Sequence, residues 1–403
     1  MNLATRLANL GTETAFSVSL AAADWASKGN RVFPFHLGDI NLPTPANIAE
    51  AMNVAIAEGK TGYCPAAGIM PLREALANDV GGRRALAYTP ANVVVQPGGK
   101  PVIGKFIQTV MNPGEGVLYP NPGYPIYESM IEYYGGHSQA YRYVQTDSGF
   151  AIDLDHLRSV IVPRTAAGGT RAIIYNNLQN PLGCESSAAE MQAIANIAIE
   201  HDLVVLADEA YYEMRYSGQS SSIASLPGMF ERTVILYTFS KKFAMTGWRL
   251  GAAIAPIPIA ESIAKLNTND ESCTTHFVQA AGVAGINGSD DGPKAILAEL
   301  QRRRDAAWGE LAKIVGVVCP KPESTFYLFP KVTDVMTRMG FDEVGEFATA
   351  ALHNTGVSFC TRKHFGRPQP DEHDHFVRFA YSGLSVTDIE EGLSGLRRWI
   401  EAA

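Results

Sequence analysis

Long apolar runs are missing from this sequence, and none is sufficient to cross a bilayer as a helix, so no membrane association is expected. Clustered positive charge is also missing. The formal net charge of −8 is spread along the chain, and no Lys/Arg-rich stretch marks a nucleic-acid or membrane-surface patch. A small-molecule partner is therefore favoured over a nucleic acid. The five cysteines (Cys64, Cys184, Cys273, Cys319 and Cys360) are odd in number and far apart, with neither CxxC nor Cys/His ligand spacing. Disulfide frameworks and metal sites lack support, and the reducing cytoplasm is the expected compartment. No basic run precedes the apolar stretch Ala15–Ala23, and Asp24-Trp25 follows it directly. It is read as an amphipathic helix ending at Gly29, not as a signal peptide.

What is present is an ordinary globular composition over 403 residues, more than one compact core usually holds. A large domain plus a smaller one is expected, with a cleft between them. Short aliphatic runs alternate with helical patterns from Val93 to Ala255, as in βαβ units with a parallel sheet. The candidate strands are Val93–Val95, Val117–Tyr119, Ala172–Tyr175, Leu203–Ala207, Val234–Tyr237 and Leu250–Ala255, with helices over Pro101–Val110 and Ser187–Glu200. Their apolar character is continuous, as required when helices cover both faces of a sheet. After Gly288 comes a long charged helix (Ala295–Ile314), then strands at Thr325–Phe329, Val357–Phe359 and Phe376–Tyr381, and a final helix. That pattern suits a smaller α+β domain, which the first forty-odd residues could join.

In open α/β sheets, ligands gather beyond the carboxyl ends of the strands, and the unusual residues fall there. Leu203–Ala207 delivers Asp208-Glu209-Ala210-Tyr211, and Ala172–Tyr175 is followed by Asn176-Asn177-Leu178-Gln179-Asn180-Pro181-Leu182-Gly183. Val93–Val95 leads to Gly98-Gly99-Lys100-Pro101, a glycine turn opening a helix, where exposed N–H groups suit a phosphate. Val117–Tyr119 leads to Pro120-Asn121-Pro122-Gly123-Tyr124-Pro125. Val234–Tyr237 runs into Thr238-Phe239-Ser240-Lys241-Lys242-Phe243-Ala244-Met245-Thr246-Gly247-Trp248-Arg249-Leu250-Gly251. A lysine at such a strand end, partly buried, can have its pKa lowered enough to form an imine with an aldehyde.

That last segment resembles the cofactor-lysine signature of the class I, aspartate-aminotransferase-like group of fold type I pyridoxal-phosphate enzymes. The resemblance extends from about Phe33 to Tyr381 and implies pyridoxal 5'-phosphate as cofactor, held as a Schiff base on Lys241. Arg249 stands eight residues after Lys241, the family's spacing from imine lysine to phosphate-binding arginine, which selects Lys241 over Lys242. Lys242 is then expected on the motif's outer side. By resemblance, Thr238 and Ser240 donate to the phosphate, Gly98, Gly99 and Lys100 belong to its cradle, and Tyr124 stacks on the ring. Asp208 would hold the pyridinium nitrogen protonated, while Tyr211 and Asn180 would meet the ring oxygen. Leu182 replaces the family's usual threonine in the Asn-Pro loop. Tyr63 resembles the tyrosine that reaches the neighbouring subunit's phosphate, implying a homodimer with shared sites. Gly38, in a partial match where Ile40 and Asn41 replace Pro and Asp, would lie beside the substrate carboxylate, and Arg378 would bind it.

The fold implied is fold type I: residues 1–45 joining the small domain, 46–288 a large domain with a mostly parallel sheet flanked by helices, and 289–403 the small C-terminal domain. The activity implied is ping-pong transfer of an amino group from an L-2-amino acid to a 2-oxo acid. A pyridoxal-phosphate lyase or racemase is the alternative. Phe326-Tyr327 is as readily core as site. The largest departure from the family is Cys360-Thr361-Arg362-Lys363-His364-Phe365-Gly366, where relatives have a small P-G-x-x-F-G loop. Its three basic residues are expected to form a solvated tip, with contact to an acidic substrate tail as the alternative. An acidic substrate would call for a second arginine in the pocket, for which Arg31, Arg215 and Arg362 are candidates.

Overall fold

The continuous aliphatic runs become one eight-stranded sheet in a computed structural model that describes residues 3–11, 14–147 and 149–403. Thirteen strands occur among these residues: β1 (Phe33–Pro34), β2 (Val93–Gln96), β3 (Gly116–Asn121), β4 (His137–Thr146), β5 (Gly149–Ile152), β6 (Thr170–Tyr175), β7 (Val204–Asp208), β8 (Thr233–Thr238), β9 (Gly251–Ile254), β10 (Tyr327–Leu328), β11 (Val357–Ser358), β12 (Cys360–Thr361) and β13 (Val377–Ala380). The large sheet has the order β2-β9-β8-β7-β6-β3-β4-β5. The pairs from β8 through β7, β6 and β3 to β4 are parallel, so their carboxyl ends emerge on one side.

Side chains alternate across a strand, and here both faces are buried. Ile173, Val205 and Ile235 join one apolar cluster, while their neighbours Ile174, Leu206 and Val234 join another on the opposite face. Full burial of each such side chain contributes roughly 1.5–3 kcal/mol, so the strand ends have firm footing. The expected helices form as Lys100–Val110 and Ala188–Glu200, the second capped by Ser187, whose hydroxyl accepts from Glu190 N–H. The segment at Ala15 is a helix through Ser27.

Two features depart from the sequence reading. The final strand of the run, β9, lies antiparallel to both β8 and β2. The link from β8 contains only a four-residue helix, Phe239–Lys242, and a turn at Thr246–Trp248. The chain therefore never crosses to the far end of the sheet, as a parallel return requires. The β4–β5 hairpin, which closes the other edge, was not expected.

A separate apolar cluster gathers Leu300, Phe347, Phe359 and Leu393 with Phe33, Phe35 and Ile40 from near the start of the chain. β1 pairs in parallel with β11, and β13 lies between β10 and β12. The long helix spans Asp291–Leu311 and the final one Val386–Glu401. Among the described residues, no helix is long and apolar enough to cross a membrane.

Candidate active site

The carboxyl ends of β3, β7 and β8 open onto a cavity of about 620 Å³ that also reaches β13 and the segment after β1. Lys241 lies in the short helix directly after β8 and lines this cavity. Its Nζ donates to the Gly38 carbonyl oxygen at 2.9 Å. Burial, partly offset by Asp39, lowers the amine's pKa from 10.5 to about 8. Lys242 is not on an outer side: it is buried, 3.7 Å from an Asp290 oxygen, and does not line the cavity.

Asp208 ends β7 and is buried. Its Oδ2 accepts from the Tyr127 hydroxyl at 2.6 Å and its Oδ1 from the Ala210 N–H at 3.1 Å. Burial raises its pKa, while these donors pull it back. The Asn176 amide donates to the Asp208 carbonyl at 2.8 Å, tying β6 to β7 at this end.

Across the cavity, the Thr238 hydroxyl donates to Ser240 Oγ at 3.0 Å, and its oxygen accepts from the Ser240 N–H at 3.2 Å. Arg249, with φ near +57°, donates from Nη1 to the Thr246 carbonyl at 2.6 Å. Gly98 supports it from behind: φ is +102°, and a Cβ there would stand 1.9 Å from Arg249 Nη2. Gly99 caps the helix that starts at Lys100. Gly99, Lys100, Thr238, Ser240 and Arg249 all line the cavity, and Gly98 is the contact behind them.

Tyr124 and Tyr211 also line it. The Tyr211 hydroxyl lies 2.7 Å from that of Tyr327, a residue the sequence reading left out as possible core. Gly38 is required beside it, since a Cβ there would come within 2.7 Å of the Tyr327 hydroxyl. Arg378, on β13, is buried between the rings of Tyr327 and Phe365, 4.5 and 4.6 Å from their centroids. Its Nη1 donates to Asn180 Oδ1 at 3.0 Å and its Nη2 to the His36 carbonyl at 2.8 Å. Tyr63 is the predicted residue that stands apart, 89% exposed and outside the cavity wall.

Sequence reasoning missed Tyr127, Asn176, His36, Tyr327 and His364, all of which line the cavity. Tyr127 carried a signal, since it follows Tyr124 by three residues at a helix start. His36 and His364 stood in segments already singled out, but only tertiary folding brings them beside Arg378.

The basic segment is not a solvated tip. Arg362 is buried and ion-paired with Glu372 at 2.6 Å, and only Lys363 is exposed, against Glu343. Arg31 pairs with Asp388 at 2.8 Å, Arg215 pairs with Glu185, and neither they nor Arg362 lines the cavity.

The donor set fits pyridoxal phosphate. A buried acid, two hydroxyls, a guanidinium and a helix start line one cavity with an amine of lowered pKa that feels the charges of both Asp208 and Arg249.

Comparison with known proteins gives a consistent result. The family described as aminotransferase class I and II matches residues 31–396. The aspartate aminotransferase of Bacillus subtilis (strain 168) is 28% identical, covering 100% of this chain and 99% of that protein. The probable aspartate/prephenate aminotransferase of Aquifex aeolicus (strain VF5) is 31% identical, with 99% and 98% covered. Among solved structures, the alanine aminotransferase from Pyrococcus furiosus aligns over 100% of both chains, with a TM-score of 0.90 and 27% identity.

Proposed function

The chain belongs to the class I and II aminotransferases, enzymes dependent on pyridoxal phosphate, and from that premise we propose how its residues divide the work. The reaction is transfer of an amino group from an L-2-amino acid to a 2-oxo acid by a ping-pong route. The observation that carries this reading is Lys241, a buried amine with lowered pKa, lining one cavity with Asp208, Thr238, Ser240 and Arg249 and influenced by the charges of Asp208 and Arg249.

Carried on Lys241 until the substrate amine displaces and frees that side chain, the cofactor would supply an electron sink for the charge left when the substrate α-carbon loses a proton. Lys241 moves that proton, and a pKa of about 8 leaves part of its amine unprotonated near neutrality. Asp208, already holding the Tyr127 hydroxyl and the Ala210 N–H, accepts a cationic ring N–H and keeps it protonated. Asn180 and Tyr211 would hold the ring oxygen, and Tyr124, lining the same cavity, would pack against the ring. Thr238, Ser240, Arg249 and the Gly98–Gly99–Lys100 turn hold the phosphate dianion. Arg378 orients the substrate carboxylate beside Gly38. Asn180 and the His36 carbonyl fix its guanidinium in advance, which reduces the ordering cost of binding.

The enzyme is proposed to work as a homodimer, with the exposed Tyr63 reaching the phosphate site of a second copy. Its five free thiols suit the cytoplasm. Residues 1–45 with 289–403 are proposed to act as the small domain, and 46–288 as the large one.

The test is a half-reaction. Holoenzyme mixed with an amino acid and no acceptor should release one equivalent of 2-oxo acid per site and stop. Continued release of oxo acid with ammonia would make it a lyase, and accumulation of the opposite enantiomer a racemase.

A further inference from the structure

The turn after β12 is built to aim one side chain. Arg362 is its internal brace: Nη1 donates to the carbonyls of Phe365 at 3.4 Å and Gly366 at 3.0 Å, and Nη2 to Asn121 Oδ1 at 2.8 Å and Glu372 Oε1 at 2.6 Å. The turn is also tied to the loop that carries Tyr124. The Gly123 N–H donates to the Phe365 carbonyl at 3.0 Å, and the Asn121 amide donates to the Arg367 carbonyl at 2.7 Å. Within this frame the Thr361 N–H donates to His364 Nδ1 at 3.0 Å.

A backbone N–H can only donate, so Nδ1 carries the lone pair and the neutral ring carries its proton on Nε2. Nδ1 also lies 3.0 Å from the Thr361 hydroxyl, which can donate to it, and 3.2 Å from the Thr361 carbonyl, but the backbone N–H contact is the shorter of the two backbone ones. Burial lowers the pKa of His364 and nearby Arg378 adds to this, against the opposing hydrogen bond to the Thr361 backbone, so the net shift favours the neutral ring. Nε2 makes no hydrogen bond to any described residue, while the ring lines the cavity with Phe365 and Arg378. His36 lines the same region, but its Nδ1 is engaged by Ser358 Oγ at 2.7 Å and burial lowers its pKa to about 4. The imidazoles therefore offer this end a neutral donor and no charge.

We propose that His364 is a specificity-determining residue, donating its Nε2–H to a carbonyl or carboxylate oxygen on the substrate side chain. The inference rests on the reading of Lys241 and Arg378 given above: with the carboxylate on Arg378 and the α-carbon at Lys241, the side chain is left facing this wall. A neutral donor serves amide and acid oxygens alike, and a side chain without an oxygen leaves the donor unpaired.

The holoenzyme settles this through kcat/KM for L-asparagine, L-aspartate and L-alanine. In His364→Phe, the asparagine-to-alanine and aspartate-to-alanine ratios should each fall about tenfold, and His364→Gln, which keeps a donor, should restore most of each. Ratios within twofold of the starting enzyme would overturn the proposal. So would a fall for aspartate alone, which would mean that a charge is read there. A starting enzyme that accepts only donors lacking a side-chain oxygen would overturn it as well. If the variants do not fold, the unmodified holoenzyme with 15N-labelled histidine serves: a proton found on His364 Nδ1 overturns the proposal, and one on Nε2 whose signal moves with succinamate but not butyrate supports it. Failure of the starting enzyme to release oxo acid from any amino acid would instead sink the aminotransferase reading.

Discussion

The segment from Thr238 to Arg249 and the turn from Thr361 to Gly366 both carry several basic residues to the edge of one cavity, and they use them in opposite ways. In the first, Lys241 faces the cavity with a backbone carbonyl as its one hydrogen-bond partner among the described residues, and burial lowers its pKa to about 8. In the second, the charged group is consumed internally, with Arg362 tied to Asn121, Glu372 and two carbonyls, and a neutral imidazole is what reaches the cavity. A run of basic residues is thus no measure of positive charge in a site. What matters is which cation is left without an anion.

This contrast can be tested from its strongest consequence downward. Lys241→Ala removes the group that moves the proton and should cost roughly 10²–10⁴-fold or more in the half-reaction, read as single-turnover release of oxo acid. An undiminished rate would mean that Lys242 or another base does the work. Arg378→Lys keeps a charge but loses the planar fork, so kcat/KM should fall about 10–100-fold, mainly through KM, as charge-assisted hydrogen bonds of roughly 1.5–3 kcal/mol are lost. Arg362→Met leaves Glu372 and Asn121 without their cation and should destabilise the fold by about 3 kcal/mol in denaturant melts, the low end for a broken buried pair because Glu372 is partly exposed. Beside it, Lys363→Ala loses only an exposed pair with Glu343 and should leave the midpoint of the same melts essentially unchanged. Equal effects at positions 362 and 363 would erase the distinction between brace and surface. Tyr327→Phe removes a hydroxyl shared with Tyr211 and should lower kcat/KM by only a few-fold to about tenfold, the worth of one net hydrogen bond.

The large sheet was legible because its strands are short, apolar and followed by polar residues at one end, a pattern that local sequence carries. Asp208, Asn180, Tyr124 and Lys241 were singled out by motifs that begin at strand ends and resemble the family's, and all four line the cavity. The reversal of β9 was not legible, since direction depends on where the link crosses and not on the strand's own residues. Nor was Tyr327: an aromatic pair on a small-domain strand reads as packing until Tyr211 and Gly38 are seen beside it. The burial of Arg362 escaped for a related reason, because its partners Asn121 and Glu372 come from opposite sides of the turn and only one is near in sequence.

The reversed strand β9 has a further consequence. Because the chain turns back at the same end of the sheet, Lys241 and Arg249 belong to one continuous piece of twelve residues, running from Thr238 to Arg249 and anchored by β8 and β9. The opposite wall is assembled from four distant stretches, contributing His36, Tyr327, His364 and Arg378. Lys241 is therefore transmitted together with Thr238, Ser240 and Arg249 as a single unit, whereas the wall that meets the substrate is a mosaic whose tiles can be exchanged one at a time. A change of diet for this enzyme requires no change in its chemistry.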